Sequence, residues 1–159
     1  MNNFDDYLNF SEIDDKEKQL KIMSKIKLSD DTVKKIKNIS KKIDFLIFAE
    51  PYCPDCRAFV PFMEQFSELN PHIRVSYLSR SKNGELLASV SREAKIPTMF
   101  YQIDDKYFIA YLEMPRFILE KINNGGDAGE LRYEYRTGVY NKELEEELLN
   151  IILDIEKKI

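Results

Sequence analysis

The pattern of apolar and polar positions changes character along this chain and divides it into three stretches. In residues 1–42 apolar residues recur at helical spacing, with Phe4, Tyr7, Leu8 and Phe10 on one short face and Leu20, Met23 and Ile26 on another. A clearer helix start follows. Ser29 is placed to cap it, Asp30 and Asp31 sit at its positive end, and Leu28 can staple onto Val33. Val33, Ile36, Ile39 and Ile43 then continue one apolar side, and this preface is expected to pack on the core.

From 43 the pattern alternates between strand and helix. Ile43–Ala49 reads as a buried strand, Pro54 to about Leu69 as a helix, and Ile73–Leu78 as a second strand entered through Asn70-Pro71. Glu85 to about Ala94 reads as a helix carrying Leu86, Leu87, Val90 and Ala94. Thr98–Ile103 and Tyr107–Leu112 are separated only by Asp104-Asp105-Lys106 and read as a hairpin.

Residues 114–159 return to helix. Pro115 suits a first helical turn, with Phe117, Ile118 and Ile122 as its apolar side. Asn123-Asn124-Gly125-Gly126-Asp127 breaks the chain. It follows a helix and lacks the lysine of a phosphate loop, so it reads as a turn. A short segment with Leu131, Tyr133 and Tyr135 leads to a last helix capped by Asn141, whose stripe is Leu144, Leu148, Ile151, Ile152, Ile155 and Ile159. Burial of this stripe within the chain is expected, with a weak homodimer as the other option.

The order β-α-β-α-β-β-α predicts an α/β fold. Its core is a mixed sheet of about four strands, covered by helices on both faces and ending in an antiparallel edge. Residues 1–159 are expected to form one domain, with a helical extension over 1–42, a core over 43–113 and a helical region over 114–159.

Charge and composition narrow the functional classes. A net charge of −4 argues against nucleic acid, which needs a concentrated basic face. The runs Lys34-Lys35-x-Lys37 and Lys41-Lys42 are flanked by acidic residues and read as solvated helix faces. The acidic start Met1–Asp6 is no secretory signal, and no window approaches the roughly 18 apolar residues of a membrane span. The expected address is therefore cytoplasmic, where a cysteine pair is more often redox-active or metal-binding than a structural staple.

That pair is Cys53 and Cys56, the two cysteines of the chain, set in Glu50-Pro51-Tyr52-Cys53-Pro54-Asp55-Cys56-Arg57 between strand and helix. With Cys53 at the N-cap, Pro54 takes the first helical position, where its missing N–H costs nothing. Cys56 then lies one turn on, on the same side. The free N–H groups and dipole of the helix end favour a thiolate on Cys53, while Glu50 and Asp55 oppose it and Arg57 offsets part of their charge. The expected division of labour makes Cys53 the nucleophile and Cys56 the resolving thiol, a moderate, reducing-type pair.

The chain resembles the thioredoxin superfamily over about residues 43–113. Phe48–Cys56 looks like that family's passage from strand to active site. Pro61, five residues after Cys56, stands where the family carries a helix proline, and Ile96-Pro97-Thr98 is similar to its Ile-Pro-Thr. The resemblance implies a cis Ile96–Pro97 bond beside the sulfurs, with Tyr52, Ile96 and Pro97 contacting an extended substrate. It also implies a thiol–disulfide oxidoreductase acting on disulfide-containing proteins or small thiols. Such a protein has no bound cofactor beyond its own Cys53–Cys56 disulfide and uses an external donor of the thioredoxin-reductase type. The tail is similar to that of a bacterial branch of thioredoxin-like proteins, and Cys-Pro-Asp-Cys resembles the motif of small thioredoxin-related proteins. Two positions depart from the family. Tyr52 replaces the usual Trp, and Ile47 stands where thioredoxins keep a buried Asp, leaving Glu50, Asp55 or water to take the proton of Cys56.

Three other readings compete. The cysteines could be inert and buried. A metal site would need ligands beyond the pair and His72, which reads as a surface or packed residue. Finally, a thioredoxin-like module could bind partners along its Pro97 edge and use the disulfide only as a sensor.

Overall fold

The computed structural model describes residues 2–159. Three helices lead in: α1 (Phe4–Leu8), α2 (Ile13–Ser24) and α3 (Asp30–Lys37). The core follows as β1 (Ile43–Phe48), α4 (Pro54–Leu69), β2 (Ile73–Leu78), α5 (Arg80–Val90), β3 (Thr98–Ile103) and β4 (Lys106–Leu112). The tail is α6 (Arg116–Asn123), α7 (Ala128–Arg136) and α8 (Asn141–Lys158). The strands form one mixed sheet in the order β2-β1-β3-β4, with β1 parallel to β2 and antiparallel to β3. This is the expected α/β architecture with its antiparallel edge.

Registers follow from side-chain alternation. Ile43, Phe45 and Ile47 of β1 point to one face and lie beside Ile73, Val75 and Tyr77 of β2. Helix α4 packs on that face, where Phe59 stacks on Tyr111 with ring centroids 4.3 Å apart and Tyr77 donates its hydroxyl proton to Glu64 at 2.7 Å. The second face is covered less fully. Asp44, Leu46, Ser76, Gln102 and Tyr107 line an open groove there, crossed by the Arg74–Asp44 ion pair. The hairpin closes through Asp104, whose φ of 54° is tolerated by a short polar side chain, and a bulge between Met99 and Phe100 leaves Ala110 without a partner.

Several local expectations shift. Helix α5 starts earlier than Glu85 because Ser79 caps it by accepting the Lys82 N–H. It bends at Asn83 and buries Leu87, while Leu86 and Val90 are exposed. Pro115 is the N-cap of α6 rather than a residue of its first turn, and Tyr140 precedes α8, so Asn141 opens that helix instead of capping it. The segment with Leu131, Tyr133 and Tyr135 is itself a helix, α7, capped by Asp127 accepting from the Glu130 N–H. In α2, Leu20 is exposed and Gln19 is buried instead.

Preface and tail both join the central core. Tyr7, fully buried, packs on Tyr77 with ring centroids 5.0 Å apart, and the Asn2 carbonyl accepts the Tyr77 N–H at 2.9 Å, pairing part of the β2 edge. The stripe of α8 is buried at Leu144, Leu148, Leu149, Ile152 and Ile155, against α3 and α4, whereas Ile159 is exposed. Glu145 locks this contact. Its carboxylate accepts hydroxyl protons from Thr32 at 2.7 Å and Ser29 at 2.9 Å.

Candidate active site

The site lies where β1 ends and α4 begins. Cys53 is the N-cap of α4 with an extended backbone, and Pro54 is its first helical residue. The Cys53 sulfur accepts the backbone N–H of Cys56 at 3.4 Å, in the place an oxygen cap would take. Cys53 is partly accessible, and Cys56 is fully buried. Both are free thiols.

This geometry separates the two thiols. Cys53 is lowered to about 7, chiefly by the hydrogen bond from the Cys56 side chain; burial opposes this, and the Cys56 backbone N–H assists. The Asp55 charge raises it and the Asp55 backbone N–H lowers it. Cys56 is pushed well above an ordinary thiol by burial, then by the hydrogen bond it gives to Cys53 and by the Cys53 charge. At neutral pH the accessible sulfur is about half thiolate, and the buried one keeps its proton.

Across the site, Ile96–Pro97 is cis, as the family resemblance implies, and the Ile96 carbonyl oxygen stands 3.8 Å from the Cys53 sulfur. The Pro97 carbonyl accepts the Glu113 N–H at 2.7 Å, which ties this loop to the end of β4. Tyr52 is 41% exposed beside Cys53, and its hydroxyl oxygen accepts a hydrogen bond from Arg80 Nη2 at 2.7 Å.

The two acidic residues of the motif are not free surface charges. Glu50 is 1% exposed; one carboxylate oxygen accepts from the Ser81 hydroxyl at 2.5 Å, and the other is buried without a partner. Asp55, also buried, is gripped by Arg136 of α7, with Nε and Nη2 donating at 2.7 and 3.1 Å. The motif arginine, Arg57, does not reach Asp55. It donates to the Pro51 carbonyl at 2.7 Å and lies 3.9 Å from Asp15.

Cys53, Cys56, Tyr52, Ile96, Pro97, Glu50, Pro54 and Asp55 therefore gather at one end of the sheet. His72 does not join them; its ring meets the Ile39 carbonyl at 3.2 Å. Among the described residues, no three His, Cys, Asp or Glu side chains are grouped as metal ligands.

Sequence reasoning missed Arg80, Ser81 and Arg136, and also the support from below. Ser11 accepts the Tyr52 N–H at 3.1 Å, and Gln19 bridges the Tyr7 hydroxyl (2.7 Å) and the Arg57 carbonyl (3.2 Å).

Comparison with known proteins agrees with the geometry. Residues 1–128 match the family model described as thioredoxin, and the chain belongs to that family. It is 34% identical over 92 residues to a thioredoxin of Mycoplasmopsis pulmonis (strain UAB CTIP), covering 53% of this chain and 84% of that protein. A Pseudomonas aeruginosa protein of unknown function shares the fold with a TM-score of 0.76 at 18% identity, over 97% of this chain and 93% of its own. An HIV epitope scaffold does so with a TM-score of 0.75 at 18% identity, over 96% and 93%. Membership of the family carries thiol–disulfide redox function at the general level and disulfide or thiol substrates as a class. No helix of the described chain is long and apolar enough to cross a membrane.

Proposed function

We propose that this protein is a disulfide reductase that uses a dithiol mechanism on protein or small-molecule disulfides, in a reducing compartment such as the cytoplasm. One observation carries the reading. A partly accessible sulfur held at the N-terminus of α4 is lowered to about 7, and a fully buried partner sulfur lies one turn on.

In the first step the Cys53 thiolate attacks one sulfur of the substrate disulfide. That S–S bond breaks, a mixed disulfide forms, and the other substrate sulfur leaves as a thiolate that takes a proton from water. Tyr52 and the Ile96–Pro97 backbone border the place where an extended substrate would lie against Cys53. In the second step Cys56 loses its proton and attacks the Cys53 sulfur. The Cys53–Cys56 disulfide forms, the substrate leaves as its second thiol, and two electrons have passed from protein to substrate. An external dithiol donor, of the thioredoxin-reductase type, returns them.

The second step needs a proton acceptor, since burial holds Cys56 protonated. Glu50 fits this role better than Asp55. It is a buried carboxylate with one oxygen left without a partner, whereas both oxygens of Asp55 are committed to Arg136. Ile47, fully buried in β1, supplies no such group.

Insulin reduction with dithiothreitol as donor tests the reading. The native chain should accelerate it and Cys53→Ser should not. Equal rates with and without the native chain would leave a partner-binding redox sensor instead.

A further inference from the structure

The carboxylate of Asp55 lies between the two cysteines in sequence and opposes the Cys53 thiolate. Its partner comes from the far end of the chain. Arg136 occupies the last turn of α7, where a cation also suits the helix dipole. It meets Asp55 with two parallel N–H···O contacts across 81 residues of sequence. The Asp55 side chain is 8% exposed and that of Arg136 is 36% exposed. Helix α7 is seated firmly enough to aim it. Leu131 and Tyr135 are buried, and the Tyr135 and Tyr111 hydroxyls meet at 3.0 Å. Arg136 lies beyond the residues that match the family, 1–128, so nothing in that match assigns it a role.

Resting on the dithiol reading above, we propose that Arg136 is a positioning residue of the site: by clamping Asp55 it makes the charge beside Cys53 a neutral pair and so sets how much of Cys53 is thiolate. The tail thereby completes an active site whose cysteines lie in the core. The other groups facing Cys53 keep their places in this scheme. Cys56 on α4, Arg80 on α5 and Tyr7 on α1 face Cys53 directly, Tyr52 precedes it, and Glu50, Arg57 and Tyr135 on α7 stand around these partners. The Cys53 charge acts on Arg136 as well as on Arg80, which puts both guanidinium groups within its field.

Removing either partner unbalances the pair in opposite directions, and removing both restores neutrality. The readout is the pH profile of Cys53 alkylation by iodoacetamide in the reduced full-length chain, followed by peptide mass spectrometry. For R136Q a midpoint raised by about one unit lowers the rate at pH 7 by about fivefold, with no loss at pH 10, where Cys53 is ionised in both chains. For D55N the midpoint falls, and the rate at pH 6 rises by about fivefold. The double variant and R136K, which keeps the charge, should both stay within about twofold of the native chain.

An unmoved midpoint in R136Q and D55N overturns the proposal, as does a double variant as slow as R136Q, which is the outcome of a purely structural contact. If R136Q fails to fold, D55N, R136K and the double variant decide alone. Insulin reduction is scored separately. Shifted midpoints without turnover sustain the role of Arg136 and count against the reductase reading.

Discussion

The sulfur of Cys53 accepts the backbone N–H of Cys56 at 3.4 Å, so the residue that would resolve the reaction also prepares the residue that would begin it. The Cys56 side chain adds the largest single pull on Cys53, and burial drives Cys56 the other way. Alkylation should therefore be ordered. Cys53 should react with a midpoint of about pH 7, slowing about tenfold per unit below it as the thiolate takes up a proton. Cys56 should stay unlabelled through neutral pH. Peptide mapping after brief iodoacetamide treatment checks this; labelling of Cys56 first, or a midpoint near that of an ordinary thiol, would contradict it.

Glu50 bears on the resolving step alone. Gln at this position keeps an acceptor for Ser81 but takes no proton, so Glu50→Gln should slow resolution of a preformed mixed disulfide by about tenfold or more. The initial attack by Cys53 should change much less. Rapid quenching, with the mixed disulfide and the internal disulfide quantified over time, separates the steps. Equal resolution rates in Glu50→Gln and the native chain would remove Glu50 from the proton path.

The tail is held to the preface by a buried carboxylate. Glu145→Ala leaves the Thr32 hydroxyl and the Ser29 backbone N–H without their acceptor at the α3–α8 contact, with an expected cost of about 2 kcal/mol. Glu145→Gln, which retains one acceptor oxygen, should cost less. Urea unfolding reads both, and a loss below about 0.5 kcal/mol for the alanine variant would show that water replaces these bonds.

Much of this was legible in the chain because local rules and global fold agree. The apolar run 43–48, the cap and proline at Cys53-Pro54 and the Ile96-Pro97-Thr98 motif each identify an element from a few neighbouring residues. What stayed hidden is long-range polar pairing. Arg136 to Asp55, Ser81 to Glu50 and Glu145 to Thr32 join residues 81, 31 and 113 positions apart, and none leaves a periodic trace. The start of α5 was misplaced because its apolar pattern begins at Leu86, whereas its cap, Ser79, lies outside that pattern. The segment with Leu131, Tyr133 and Tyr135 does not stand out as a helix because its glycine and tyrosines mask one fixed by Asp127 and by the burial of Leu131 and Tyr135.

The dithiol mechanism itself is tested most directly by trapping. Cys56→Ser, mixed with an oxidised protein substrate such as insulin, should accumulate a covalent complex through Cys53 that dithiothreitol releases, because the attacking sulfur is intact and the resolving sulfur is gone. Cys53→Ser should accumulate none, since the remaining thiol is fully buried and protonated. Complexes of equal yield from both variants, or from neither, would contradict attack by Cys53 and resolution by Cys56.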